Sequence, residues 1–315
     1  MPCQSPSFAS TLGLAALLLA HSAWASDIQE LTLTADGHRW TYYLHVPDAV
    51  RGKAAPLVLV FHGAGGGGRA YLEKNGWLTE STRGGFVVAA PDGLPARPNL
   101  PANFLLNPRV WNSGQLQADS PRSKVDDMAF VNALLDDIAK RDTIDPKRIF
   151  ATGHSNGAGM TFMVGARLST RFAALATVMG QNSVTDAQPL RALPTLVMLG
   201  TDDPLNPTQG GTRKLPWGNS TVPPPAQGLA AWSHALGCTA SAQTVRDDAD
   251  VRAERYGDCR NGAQVLVWNI KGQGHAWPGG QDSGLPASVM GPNPTRINAT
   301  REIWSFFASS VPAAN

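Results

Sequence analysis

Along the chain the apolar residues change from every second position to unbroken runs, and that change outlines the fold. Leu31-Thr32-Leu33-Thr34 and residues 40–46 alternate with period two, and Ala35-Asp36-Gly37 between them has the composition of a hairpin turn. These segments predict a pair of edge strands. Residues 57–61, 86–90 and 196–199 are instead continuously apolar, as expected of parallel strands covered on both faces, and residues 265–270 continue the series. Residues 125–141 place Val125, Met128, Val131, Leu134, Leu135 and Ile138 on one side of a helix. Strands alternating with helices imply an α/β architecture with a mostly parallel central sheet and helices on both faces.

Three long segments rich in Pro, Gly and Asn interrupt the regular part, at residues 93–124, 204–227 and 278–295. Ligands of open α/β sheets bind beyond the carboxyl ends of the strands, and long irregular loops in a compact domain usually serve function. These three are expected to build a substrate pocket. Each contains or borders a tryptophan, namely Trp111, Trp217 and Trp277. Singly, each indole would pin its loop to the body; gathered around one mouth, they would bind a sugar or an acyl chain.

Charge and the N-terminus narrow the compartment and the partner. With 26 basic and 24 acidic residues the formal charge is +2, which leaves no electrostatic footprint for nucleic acid. A neutral small molecule or polymer is the expected partner, and the oligomeric state is not legible. Residues 1–25 carry no Asp, Glu, Lys or Arg, hold an apolar run at residues 12–20, and end in Ala23-Trp24-Ala25 ahead of Ser26. This is the pattern of a secretory signal peptide, although the usual basic residue before the run is missing. The run is shorter than the ~20 residues that cross a bilayer, so no membrane anchor is expected. Residues 26–315 then form a single catalytic domain with two cysteines, Cys238 and Cys259, an even pair that reads as a disulfide in an oxidising compartment.

The chemistry is carried by Gly153-His154-Ser155-Asn156-Gly157, which follows Ile149 and Phe150 and precedes Met160, Met163, Val164 and Leu168 at helical spacing. Strand, sharp turn and helix in that order make a nucleophile elbow, where the strained serine needs neighbours without bulk. Ser155 is the expected nucleophile. A serine needs a histidine to take its proton, and the histidine needs a carboxylate to fix its tautomer; on this topology they follow as acid and then histidine. Of the two later histidines, His234 lies in a helical stretch, whereas His275 lies in the glycine-flanked loop of residues 272–279. His275 is the expected base. For the acid, Gly200-Thr201-Asp202-Asp203-Pro204 offers two carboxylates just past a strand, and spacing does not separate them. The oxyanion that develops needs two backbone N–H donors. Asn156 is one candidate, and the other comes from His62-Gly63-Ala64-Gly65-Gly66-Gly67-Gly68, with Ala64 expected and Gly65 the alternative if the loop shifts by one. No Gly-Lys-Ser or Gly-Lys-Thr follows that glycine run and no acidic ribose partner is placed, which separates it from phosphate loops. Chemistry of this kind requires no metal and no organic cofactor.

Several motifs in series resemble the secreted polyhydroxybutyrate depolymerase and feruloyl esterase family of α/β hydrolases. They are His62-Gly63, Trp111-Asn112, Val125-Asp126-Asp127, Ile144-Asp145-Pro146-Lys147-Arg148, Ser155-Asn156-Gly157, Gly200-Thr201-Asp202-Asp203 and Gly274-His275-Ala276-Trp277-Pro278-Gly279. The resemblance covers most of residues 40–305. It implies the α/β-hydrolase fold and a secreted serine esterase that cleaves poly(3-hydroxybutyrate) or its oligomers, or else feruloyl or acetyl esters of plant polysaccharide. Its Gly-Thr-x-Asp pattern places the acid at Asp203, and it implies a Cys238–Cys259 disulfide. The chain departs from the family at His154, where a smaller or apolar residue is commoner, and at Ala158, where glycine is. No linker or polymer-binding module follows Trp304-Ser305-Phe306-Phe307, which keeps soluble oligomers and small carboxylic esters among the expected substrates. A hydrolase-fold protein that only holds polymer would typically have lost a triad member, and here each has a candidate.

Overall fold

The computed structural model describes residues 1, 28–215, 218–281, 284–294 and 296–311. Apart from Met1, the expected signal peptide lies outside the described residues. In chain order the elements are β1 (Ile28–Ala35), β2 (His38–His45), β3 (Ala55–Phe61), α1 (Gly68–Lys74), α2 (Trp77–Gly84), β4 (Val87–Pro91), α3 (Asp127–Arg141), β5 (Ile144–His154) and α4 (Asn156–Arg167). They continue with β6 (Ala174–Val178), β7 (Thr195–Gly200), β8 (Gly211–Leu215), β9 (Gly218–Val222), α5 (Pro225–Ala235), β10 (Gln243–Asp247), β11 (Val251–Tyr256), β12 (Val265–Ile270), α6 (Ala287–Met290) and α7 (Ala299–Ser310).

Ten strands form one sheet in the order β1-β2-β4-β3-β5-β6-β7-β12-β11-β10. The six strands from β4 to β12 run parallel, and two antiparallel strands close each edge. The sheet is therefore mixed, with a parallel centre. Sequence explains the division. Strands β3, β4, β6 and β7 are buried at every position because helices cover both faces. Successive residues of β3 alternate between two apolar layers. Leu57, Leu59 and Phe61 belong to the apolar layer that also holds Phe130 and Leu134 of α3 and Trp232 of α5, whereas Val58 and Val60 belong to the layer that holds Trp77 of α2 and Trp304 and Phe307 of α7. Asp126 starts α3 by accepting the N–H groups of Met128 and Ala129 on its carboxylate.

Three sheet features escape the hydrophobic pattern. Strand β6 is buried but only five residues long, and β10 reads Gln-Thr-Val-Arg-Asp because it is an edge open to water. The segment 204–227 contains a two-stranded hairpin, β8 with β9, whose residues are largely exposed and polar. Among the described residues no helix is long and apolar enough to cross a membrane.

Cys238 and Cys259 are joined by a disulfide that closes a loop 21 residues apart in sequence, linking the end of α5 to the chain after β11. In the chain-entropy view such a loop stabilises by about 3 kcal/mol. A Cys238→Ser, Cys259→Ser double variant is expected to lose about that much in urea unfolding.

Candidate active site

The elbow is built by the approach of three backbones. Ser155 has φ of 54° and ψ of −119° between the end of β5 and the start of α4, a conformation that costs a non-glycine residue of order 1–3 kcal/mol. A Cβ on Gly153 would lie 2.2 Å from the Gly157 carbonyl oxygen, and one on Gly157 would lie 2.2 Å from that of Phe61. Both glycines are thus required by contact, and the Ser155 N–H is held by the Val178 carbonyl at 2.9 Å.

Three side chains from three loops meet there in one line. The Ser155 Oγ lies 2.8 Å from His275 Nε2, and His275 Nδ1 lies 2.8 Å from Asp203 Oδ2. A carboxylate at Nδ1 puts the hydrogen on that nitrogen and leaves Nε2 to accept from the serine hydroxyl. Asp203 and His275 are 4% and 3% exposed. Burial by itself would favour a neutral Asp203, but the His275 ring and the N–H groups of Asn206 and Leu205 outweigh it and hold the carboxyl below its ordinary value. Asp202, in contrast, is exposed and accepts the Thr201 hydroxyl at 2.8 Å. The structure brings Asp203 to His275 and leaves Asp202 facing solvent.

The glycine loop after β3 has its donors largely committed. The Gly65 N–H donates to Arg109 O at 2.8 Å, Gly66 N–H to Gly63 O at 2.9 Å, and Gly63 N–H to the Tyr71 hydroxyl at 3.1 Å. Among the described residues the N–H groups of Ala64 and Asn156 donate to no protein acceptor, and Ala64 borders the cavity beside Ser155. Of Ala64 and Gly65, only Ala64 has its N–H free to receive an oxyanion. His62 anchors the loop by accepting Gly93 N–H at Nε2 and donating from Nδ1 to Gly63 O; burial holds its pKa below the usual imidazole range.

The tryptophans divide. Trp277 borders the cavity and donates from Nε1 to Thr300 Oγ1 at 3.0 Å. The expectation that Trp111 binds substrate is corrected: it is fully buried, stacked with Trp40 and Phe130, and donates from Nε1 to His62 O. Its main chain is gripped by the Asn156 side chain, which accepts the Trp111 N–H at 2.6 Å and donates to its carbonyl at 3.2 Å. An indole with no exposed face offers nothing to a ligand, so Trp111 instead ties the first long loop to the elbow. Trp217 lies outside the described residues.

The cavity over Ser155 has a volume of about 390 Å³ and is walled mainly by Phe104, Leu205, Leu215, Leu285, Val289 and Met290, with Trp277 and the glycine loop closing one side. Two further polar residues at the site are not recognisable as such in the sequence. Asn206 donates from Nδ2 to Met179 O at 2.8 Å and lies 3.4 Å from Asp203 Oδ2. His154 has its pKa pushed down to about 3, first by burial and then by the neighbouring His275. An unfolded His154 binds a proton below pH ~6.5 that the folded one refuses, so native stability is fully present above that pH and falls by about 1.4 kcal/mol per unit as pH drops towards 3. Urea unfolding at pH 7 and pH 5 is expected to show a loss of about 2 kcal/mol from this group in the native protein and a smaller pH dependence in His154→Gln.

Known proteins share this arrangement of strands. A solved acetyl xylan esterase from Aspergillus awamori superposes with a TM-score of 0.55 at 17% identity, covering 79% of this chain and 93% of that one. The fold is that of the α/β hydrolases. No family model matches the chain. Feruloyl esterase B of Piromyces equi is 27% identical over 230 residues, which cover 71% of this chain and 40% of that protein. Poly(3-hydroxyalkanoate) depolymerase C of Paucimonas lemoignei is 30% identical over 138 residues, 44% of this chain and 30% of the depolymerase. In sequence the chain is thus similar to a feruloyl esterase and to a poly(3-hydroxyalkanoate) depolymerase. It spans less than half the length of either of these two proteins.

Proposed function

We propose that the protein is an exported serine esterase that hydrolyses carboxylic esters through an acyl-enzyme, with Ser155 as nucleophile, His275 as base and Asp203 as acid. The observation that carries this reading is the unbroken Ser155–His275–Asp203 line beneath an apolar cavity. As Ser155 Oγ attacks the ester carbonyl, His275 Nε2 takes the hydroxyl proton, and the carbonyl oxygen becomes an oxyanion facing the Ala64 and Asn156 N–H groups. His275 then returns the proton to the departing alcohol oxygen. In the second half a water gives its proton to His275 and its hydroxide to the acyl carbon, and Ser155 leaves with the proton restored. Asp203 stays ionised throughout and stabilises the imidazolium. A fluorophosphonate should label Ser155 in the folded protein; unlabelled, folded material would refute the reading.

Poly(3-hydroxybutyrate) or its oligomers are the substrates this reading puts first. The aliphatic walls of the cavity suit a short hydroxyalkanoate unit, and a polyhydroxyalkanoate depolymerase is among the relatives. Feruloyl or acetyl esters of polysaccharide form the second reading, favoured by the feruloyl esterase relative and by the Trp277 indole at the cavity. Matched assays for released 3-hydroxybutyrate and released ferulate decide between them. The signal-peptide reading implies cleavage after Ala25, so the mature protein from a periplasmic or culture fraction should begin at Ser26 by mass spectrometry.

A further inference from the structure

His154 precedes Ser155, and its ring is buried where the oxyanion loop, the elbow and the histidine loop meet. Its two nitrogens face different partners. Tyr71 Oη lies 2.7 Å from Nδ1, and the main-chain carbonyl oxygen of His275 lies 2.6 Å from Nε2. A carbonyl only accepts, so Nε2 carries the hydrogen. Since burial keeps the ring neutral, Nδ1 is an acceptor and the Tyr71 O–H donates to it. Tyr71 Oη in turn accepts the Gly63 N–H at 3.1 Å. One hydrogen-bonded line therefore runs from the first residue of the glycine loop, through a phenol and an imidazole, to the main chain of His275.

This line meets a need that the triad itself leaves open. Asp203 fixes the rotation of the His275 ring, but the height of that ring over Ser155 depends on where the irregular loop carrying it is held. Its main chain is tied on one side by His275 N–H to Met290 O at 2.5 Å and on the other by the His154 bond. Room for the line is kept by Gly63, where a Cβ would come within 3.1 Å of Tyr71 Oη and 3.2 Å of His154 Nδ1. The Trp277 ring packs edge-on against His154 at 6.0 Å. With the His154 and His275 ring centres 5.0 Å apart, only a neutral His154 tolerates the imidazolium that His275 becomes during reaction.

We propose that His154, acting with Tyr71, is a positioning residue that sets the His275 main chain and the oxyanion loop in register with Ser155. The inference rests on the reading of Ser155 and His275 as nucleophile and base. A misplacement of about 1 Å at such a site costs about 100-fold in rate. In the full-length protein, His154→Leu removes both ends of the line. It is expected to lower kcat for p-nitrophenyl butyrate about 100-fold, with KM within about threefold. His154→Gln, whose amide can donate to His275 O and accept from Tyr71, should recover to within about tenfold of native, and Tyr71→Phe should lose about tenfold in kcat. Fluorophosphonate labelling of the unmutated protein separates the two claims, since absence of label removes the nucleophile reading whatever the variants do. With Ser155 labelled, a folded His154→Leu with kcat within about threefold of native, or a His154→Gln as impaired as His154→Leu at equal Tm, overturns the relay. Should His154→Leu not fold, Tyr71→Phe decides, because it deletes one hydroxyl; a kcat within about twofold of native overturns the proposal.

Discussion

Replacing Ser155 by alanine is expected to lower kcat for a short-chain p-nitrophenyl ester by about 10⁵-fold or more, with Tm nearly unchanged. The size follows from the role proposed for the hydroxyl. Without Oγ no acyl-enzyme forms, and neither His275 nor the free N–H groups of Ala64 and Asn156 can replace the bond that would be made. Removing one member of such a unit costs nearly as much as removing all of it, and what remains is the contribution of oxyanion donors and binding. Folding is spared because, among the described residues, the Ser155 hydroxyl bonds to His275 Nε2 alone, and alanine leaves the main chain of the elbow in place. The check is paired kinetics and thermal unfolding on the same preparation. Turnover within tenfold of native would remove Ser155 from the chemistry.

Asp203→Asn should cost about 10⁴-fold in kcat, whereas Asp202→Asn should change it by less than about twofold. Asparagine keeps the shape of the buried side chain and still accepts the N–H groups of Leu205 and Asn206 at its oxygen. Its amide nitrogen then faces His275 Nδ1 and donates to it, which forces the ring hydrogen to Nε2. That tautomer presents N–H to Ser155 and cannot take its proton. The Asp202 main chain donates to Gln273 O, but its side chain is exposed and bonds to the Thr201 hydroxyl, so an amide there perturbs neither the tautomer nor the charge of the ring. Measuring both variants on one soluble ester separates two adjacent carboxylates that local sequence leaves equivalent, and equal losses would refute the assignment.

Much of this protein is legible before folding because some of its constraints are local. Apolar runs mark the covered strands of the sheet centre, since a strand buried on both faces has no polar position to spare. The spacing of Gly153, Ser155 and Gly157 records a backbone contact within one turn, and Asp36-Gly37 records a hairpin whose φ values are 47° and 70°. The antiparallel edge β10 and the hairpin β8–β9 are silent in the pattern because their side chains face water and need no periodicity.

What the tertiary structure alone decided concerns which atoms are free. The sequence offers seven backbone N–H groups in the stretch from His62 to Gly68, and only packing shows Gly65 spent on Arg109 and Ala64 left open. It offers three tryptophans near the mouth, and only packing sends Trp111 into the core beside Trp40 while Trp277 lines the cavity. It offers His154 as an unexplained departure from the commoner small residue, and only the meeting of residues 71, 154 and 275 turns that departure into a hydrogen-bonded line. Local chemistry is written in residue types and spacing, but the satisfaction of a donor depends on a partner tens of residues away, and that information exists only when the chain has folded.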